Sequence, residues 1–312
     1  MMKLTRRDLM AGGAALFTSM GTGVLNARAA DAMPPLVDAK WLKAHLSDSD
    51  LRILAATDKR LYAQAHVPGS VFTDFGKWRI TRDGVPAMLP DVPYLERLVG
   101  SLGISPETKV VIVPAGFSAG DVGVATRIYW TLRTLGHAQV AVLDGGLRYW
   151  AGMKNPLEAR PATPKPVEYK AAFTGRWLAT KDDMKKAIAA GKPQLIDVRT
   201  PGEYTGAIFS PSTGRPGTIK GAINVPQHWF IDQATGLFRS GAQLAKIHDA
   251  MGDAGGEAID FCNTGHRASL GWFARNEIMG RATRMYDGSM VEWGNLKPPE
   301  EYPTVARIDL RG

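Results

Sequence analysis

Two stretches of the chain echo each other at long range. Residues 139–150 read QVAVLDGGLRYW and residues 282–293 read ATRMYDGSMVEW, so Asp144-Gly145-Gly146 and Trp150 correspond to Asp287-Gly288-Ser289 and Trp293. The offset is 143 residues for the aspartate and for the tryptophan alike. Upstream, Tyr62 and His66-Val67-Pro68-Gly69-Ser70 are paralleled by Tyr204 and Gly217-Thr218-Ile219-Lys220-Gly221-Ala222, with a Pro/Gly/Ser-rich loop inserted at 208–216 in the second copy. So long an offset means a duplicated domain and not a solenoid, whose repeats run to roughly 20–50 residues. The 312 residues accommodate two domains of ordinary size. Between the copies, Pro156, Pro161, Pro164 and Pro166 disfavour helix and give an extended, semi-rigid connector. We therefore read a first domain over 34–152, a proline-rich linker over 153–172 and a second domain over 173–300.

Within each copy strand and helix signals alternate. In the second, Thr180 and Asp183 open a helix in capping-box style that ends before Gly191. A short apolar strand follows at 194–198, a periodic helix at 241–251, a strand at 258–261, a helix at 266–279 stopped by Gly280, and a last strand at 283–286. The first copy repeats this with strands at 52–55, 109–113 and 139–143 and helices at 93–102 and 122–135. Such alternation predicts an α/β fold, each domain a mainly parallel sheet flanked by helices.

The first residues read as an address. Thr5-Arg6-Arg7-Asp8-Leu9-Met10 is a twin-arginine pattern, residues 11–25 carry no charge, and Ala27-Arg28-Ala29 offers a small-x-small cleavage site. The apolar run is too short and glycine-rich for the ~20 strongly apolar residues of a membrane span. We read 1–29 as an export signal, placing the mature chain in the periplasm with no membrane insertion after cleavage. Without that segment the formal charge of +8 falls to about +5 and is scattered. That suits a small anionic ligand; nucleic acid demands a concentrated basic face.

Export makes the cysteine count informative. Cys262, in DFCNTGHRAS, is the only cysteine, and an oxidising compartment favours paired ones. It is either a small buried hydrophobe or a nucleophile. Its neighbours favour the nucleophile: it sits at the carboxyl end of a predicted strand, where open α/β sheets bind ligands. Gly265 lets the loop turn so that successive N–H groups face one centre, and this nest with the following helix N-terminus stabilises a negative sulfur. His266 and Arg267 add donors and positive charge at the rim. Cys262 to Arg267 is C-x4-R, one residue shorter than the C-x5-R of cysteine phosphatases, which suits a single sulfur atom better than a phosphoryl group. The histidines at 45, 137, 228 and 248 are dispersed without ligand spacing, so neither a metal nor another cofactor is expected.

These residues together resemble the rhodanese family of sulfurtransferases, specifically its tandem two-domain members. The resemblance is carried by Leu195-Ile196-Asp197-Val198-Arg199, Glu203-Tyr204, Gly221-Ala222-Ile223-Asn224-Val225-Pro226, the loop 262–267, and Tyr286-Asp287-Gly288-Ser289 through Glu292-Trp293, with His66–Ser70 and Leu143-Asp144-Gly145-Gly146 in the first domain. It implies two rhodanese-like domains, of which the first, with Pro114-Ala115-Gly116-Phe117-Ser118 in place of the loop and Ala55-Ala56-Thr57 in place of Asp-x-Arg, is non-catalytic.

The resemblance further implies that Cys262 takes a sulfur from a donor such as thiosulfate and passes it, as a persulfide, to cyanide or a thiol. Asn263, Thr264, Gly265, His266 and Arg267 would hold the charged sulfur and the donor's anionic end, and Asp197 would brace the loop through Arg267. Mercaptopyruvate-using relatives carry small residues where Asn263, His266 and Arg267 stand, so thiosulfate is the preferred donor. The alternative activities are mercaptopyruvate sulfurtransfer and persulfide carriage for a sulfur-accepting protein. Some relatives carry a substrate-binding arginine where Glu203 stands, which leaves Arg199 and Arg215 as candidate second anchors; Arg199 is equally a candidate strand-end brace. Asp287 and Ser289 are candidates for a proton relay with Cys262 or for plain turn chemistry. His66 reads as turn-stabilising, and Trp78 and Trp229 as candidate cleft-lining residues.

Overall fold

The alternating apolar runs fold into two five-stranded parallel sheets with the same strand order. In this computed structural model, which describes residues 33–310, the first sheet comprises β1 (Leu36–Val37), β2 (Leu51–Ala56), β3 (Val71–Phe72), β4 (Lys109–Pro114) and β5 (Val140–Leu143), ordered β1-β5-β4-β2-β3. The second comprises β6 (Leu178–Ala179), β7 (Gln194–Asp197), β8 (Ile223–Asn224), β9 (Ala258–Phe261) and β10 (Thr283–Tyr286), ordered β6-β10-β9-β7-β8 when taken from the matching edge. Every pairing in both sheets is parallel. The export signal read over 1–29 lies outside the described residues. Among those described, no helix is long and apolar enough to cross a membrane.

The central strands are buried on both faces, as parallel strands covered by helices must be. The edge strands escaped the periodicity: β1, β3, β6 and β8 are each two residues long, too short to show a period. A hairpin pairs Ile80–Arg82 with Val85–Met88 around Asp83-Gly84, both at positive φ (51° and 78°), as a tight two-residue connection requires. The helix predicted over 266–279 is α-helical only over His266–Trp272 and continues as a π-helical segment, Phe273–Ile278.

Two helices join the halves: α1 (Ala119–Thr134) of the first domain and α2 (His266–Trp272) of the second. Val122, Ala125, Ile128, Tyr129 and Leu132 bury nearly the whole circumference of α1, because it lies between its own sheet and the other domain. One apolar cluster accordingly runs through both halves, from Ile112 and Val122 to Ile196, Ala268 and Phe273, whereas each outer face has its own smaller cluster. The proline-rich segment contains no helix. It is tied to the first domain by an antiparallel bridge between His66 and Glu158 and by the N–H of Val167 and of Ala172 on the carbonyls of Gly100 and Leu135. His66 is a structural residue, its Nδ1 2.7 Å from the Tyr62 carbonyl and its ring stacked on Tyr62.

Candidate active site

Cys262 follows directly on β9 and is buried, 1% exposed. The chain then turns through Gly265, at φ 70°, where a Cβ would lie 2.9 Å from the Asp287 carbonyl oxygen, so only glycine fits. The N–H groups of Cys262 and Gly265 both donate to Ser289 Oγ at 3.1 Å, and Ser289 donates onward to the Tyr286 carbonyl at 2.9 Å. The Met290 and Val291 amides complete the seam by donating to the carbonyls of Cys262 and Asn263. Ser289 therefore closes the loop on the turn after β10. Its proton is directed at a carbonyl and not at sulfur, which corrects the relay alternative.

A buried network braces the loop from β7. Asp197, at that strand's end, takes Arg199 Nη2 at 2.6 Å, Arg199 Nε at 3.0 and 3.1 Å, and Thr218 Oγ1 at 2.7 Å. Arg199 also donates to the Gly217 carbonyl at 2.7 Å and reaches the loop through Asn263 Oδ1 at 3.3 Å. Asp197 thus acts on the loop through Arg199 and Asn263, and not through Arg267 as expected. Arg199, 3% exposed with its donors engaged, is a brace and does not face a substrate. Arg215 is likewise spent on the carbonyls of Trp293, Gly294 and Pro299, which removes the other candidate anchor.

Arg267 is paired. Its Nη1 and Nη2 each hold one Glu203 oxygen at 2.7 Å, and Asn263 Nδ2 donates to Glu203 Oε1 at 2.8 Å. Burial alone would raise the Glu203 pKa, but the Arg267 hydrogen bonds and charge outweigh it and hold the carboxyl at about 2. Burial similarly opposes the Arg267 charge, yet Glu203 and the Cys262 sulfur together keep its pKa above the usual arginine range. Glu203 neutralises the fork that was expected to grip the donor.

His266 carries no charge at neutral pH, contrary to the expected positive rim. Burial first, then the charges of Arg79, Arg127 and Arg267, hold its pKa at about 4. Its ring tilts against Phe75 of the first domain at 5.0 Å, and its Nε2 has no hydrogen-bond partner. Thr264 is half-buried on the loop.

Sequence reading missed Arg127. This fully buried residue of α1 donates through Nη1 to the Gly265 carbonyl at 3.2 Å, so the first domain holds the loop of the second. Its Nη2 lies 2.5 Å from Asp287 Oδ1, a close charge pair too misaligned to count as a hydrogen bond. Asp287 Oδ2 accepts from the Leu89 N–H at 2.6 Å. Asp287 is thus an interdomain staple. The available signal was an arginine directly before the apolar run Ile128-Tyr129-Trp130 of the helix; its partner lies 160 residues away. Trp78 is buried in the first domain with Nε1 on Thr73 Oγ1 at 2.8 Å and lines no cleft. Trp229 is partly exposed beside Arg239, Lys246 and Ile247 in a groove. A cavity of about 360 Å³ separates Gly116–Gly120 of the first domain from Gln227 and His228 of the second; Cys262 is not among its lining residues.

The arrangement offers a buried thiol at a strand end, a loop pinned from three sides, and three arginines each paired with a carboxylate. Comparison with known proteins gives the family. The family model described as "Rhodanese-like domain" matches the chain twice, at residues 38–153 and 180–296. The human 3-mercaptopyruvate sulfurtransferase is 30% identical over 287 residues, covering 85% of this chain and 94% of that protein. The rat thiosulfate sulfurtransferase is 31% identical over 282 residues, covering 85% and 93%. The crystal structure of the 3-mercaptopyruvate sulfotransferase SseA from Escherichia coli superposes with a TM-score of 0.73 at 25% identity, over 82% of this chain and 99% of that one. The chain belongs to the rhodanese family of sulfurtransferases, built as two rhodanese-like domains in tandem.

Proposed function

We propose that this sulfurtransferase takes its sulfur from thiosulfate and carries it on Cys262. The Cys262 thiolate attacks the outer sulfur of thiosulfate, the S–S bond breaks, and sulfite leaves with the electron pair. Cyanide or a thiolate then attacks the outer sulfur of the persulfide and regenerates the Cys262 thiolate. The observation that carries this reading is the position of the chain's only cysteine at the end of β9, with Arg267 and Arg127 bearing on its loop. Arg267 and Arg127 are each paired with a carboxylate, so the short C-x4-R loop is what favours a small inorganic donor.

The test is thiocyanate formation from thiosulfate and cyanide by the purified protein, with mass spectrometry of Cys262 after thiosulfate alone. We expect a protein one sulfur atom heavier and turnover that Cys262→Ala abolishes. Equal activity in Cys262→Ala overturns the role of the thiol. A stable persulfide without thiocyanate indicates a sulfur carrier that delivers to a protein partner. The relatives' names make 3-mercaptopyruvate the rival donor, and a higher kcat/KM with it would displace thiosulfate. We further propose periplasmic export, supported by Arg6-Arg7 and the uncharged run behind them. The N-terminal sequence of protein from fractionated cells tests it, with a start near Ala30 expected.

A further inference from the structure

The cations around Cys262 differ in what they are bound to. Arg199 is matched by Asp197, Arg267 by Glu203 and Arg127 by Asp287. Arg79 stands apart. It follows the 3-10 turn Phe75–Trp78 of the first domain, and its guanidinium carbon lies 4.0 Å from the Phe75 ring centroid. The same ring packs on His266, which begins the helix after the Cys262 loop. Arg79 is half-buried, and its Nε has no hydrogen-bond partner. Burial lowers its pKa, and the charge that adds to this is a second cation, Arg127. Arg127, in turn, is bonded to the loop at Gly265. A guanidinium held over an aromatic ring can still present N–H donors to an oxyanion.

We propose that Arg79, supplied by the cysteine-free first domain and oriented by Phe75, is the anchor for the anionic end of the sulfur donor. The inference rests on the persulfide reading above and names the residue that reading leaves open. It gives the first domain a part in recognising the donor: an oxyanion supplies the acceptor that Arg79 Nε lacks. With His266 neutral, Arg79 is the one of these four arginines with no carboxylate partner among the described residues.

The experiment uses the full chain as wild type, Arg79→Met and Arg79→Lys. Steady-state kinetics are run with thiosulfate, a dianion, and with methanethiosulfonate, a monoanion. Arg79→Met is expected to raise KM for thiosulfate on the order of tenfold to a hundredfold, the scale of a lost charged hydrogen bond, with kcat within about twofold. The loss should be smaller for methanethiosulfonate, and Arg79→Lys should recover most of the affinity. Should Arg79→Met fail to fold, Arg79→Gln takes its place in the same comparison. An unchanged KM in a folded variant, or parallel losses with both donors that lysine does not rescue, overturns the anchor and leaves Cys262 chemistry standing. If wild type forms no persulfide from thiosulfate, the functional reading itself fails, and the wild-type lane alone reveals it.

Discussion

The hydroxyls of Thr126 and Ser269 lie 2.9 Å apart, and their separation of 143 residues is the offset that relates Asp144 to Asp287. Each hydroxyl also lies within hydrogen-bond reach of the carbonyl three residues before it, Thr126 of Gly123 at 3.2 Å and Ser269 of His266 at 2.7 Å, and one of the two donates across the pair. Equivalent residues of the two copies therefore meet face to face. The aspartates obey the same symmetry: Asp287 accepts from the Leu89 amide of the first domain, and Asp144 from the Phe238 amide of the second at 2.9 Å. Under this correspondence the partner of His266 is Gly123, and where one copy carries an imidazole the other carries no side chain.

That vacancy is needed. A Cβ at position 123 would lie 3.0 Å from His266 Nε2. We expect Gly123→Val to displace the ring, cost about 1–3 kcal/mol by overpacking and lower kcat/KM for thiosulfate, with Gly123→Ala milder on both counts. Thermal unfolding alongside steady-state kinetics checks this. Wild-type kinetics in a folded Gly123→Val would show that the imidazole has room to spare.

The Arg127–Asp287 pair has side chains 0% and 3% exposed, so removing one partner strands a buried charge. Asp287→Asn should cost about 3–5 kcal/mol and loosen the loop at Gly265. Arg127→Met combined with Asp287→Asn should be less destabilised than the sum of the single changes. A double-mutant cycle by denaturant unfolding measures the coupling; strict additivity would show that the two charges do not interact.

The fold was legible because its signals are local. The strand ending at Phe261, the glycine turn and the helix after it are contiguous, so the place of Cys262 and its loop could be read from ten residues. The pairings that set charge were not legible, because they join distant segments: Glu203 to Arg267 across 64 residues, Arg127 to Gly265 across 138. The sequence therefore placed Arg267 correctly beside the loop but could not show its fork already filled. It made His266 a cation because what keeps it neutral, burial first and then the charges of Arg79 and Arg127, comes from packing against the other domain.

Glu203 makes a pH test of its pairing possible. Its carboxyl is held at about 2, below the ordinary 4.5, so the pair's stabilisation is present above pH 4.5 and is lost as pH falls toward 2. Glu203→Gln should be less stable than wild type at pH 7 by about 1–2 kcal/mol, a modest figure because the pair is partly exposed. The gap should close in acid. Chemical denaturation at pH 7 and pH 3 measures it, and a gap that persists at the lower pH would mean shape, not charge, holds Glu203 in place.

Asp260 should behave in the opposite sense. It lies on β9 two residues before Cys262, is 0% exposed, and neither carboxyl oxygen has a hydrogen-bond partner. Gly271 of α2 sits against it so closely that a Cβ there would meet Asp260 Oδ2. Burial raises its pKa to about 8, Arg275 pulls it down and Asp253 adds to the rise. The folded value thus exceeds the unfolded one, so the protonated acid contributes stability in full below the ordinary carboxylate pKa. That contribution drains away as pH rises toward 8. Asp260→Asn keeps the shape of the protonated acid and removes the titration. We expect the variant's margin over wild type in melting temperature to be smallest below pH 4 and to grow steadily to pH 9, where wild type must bury an anion beside the Cys262 loop. Melting curves across that range decide the matter. A wild-type-to-variant difference that does not change with pH would show that Asp260 keeps one protonation state throughout.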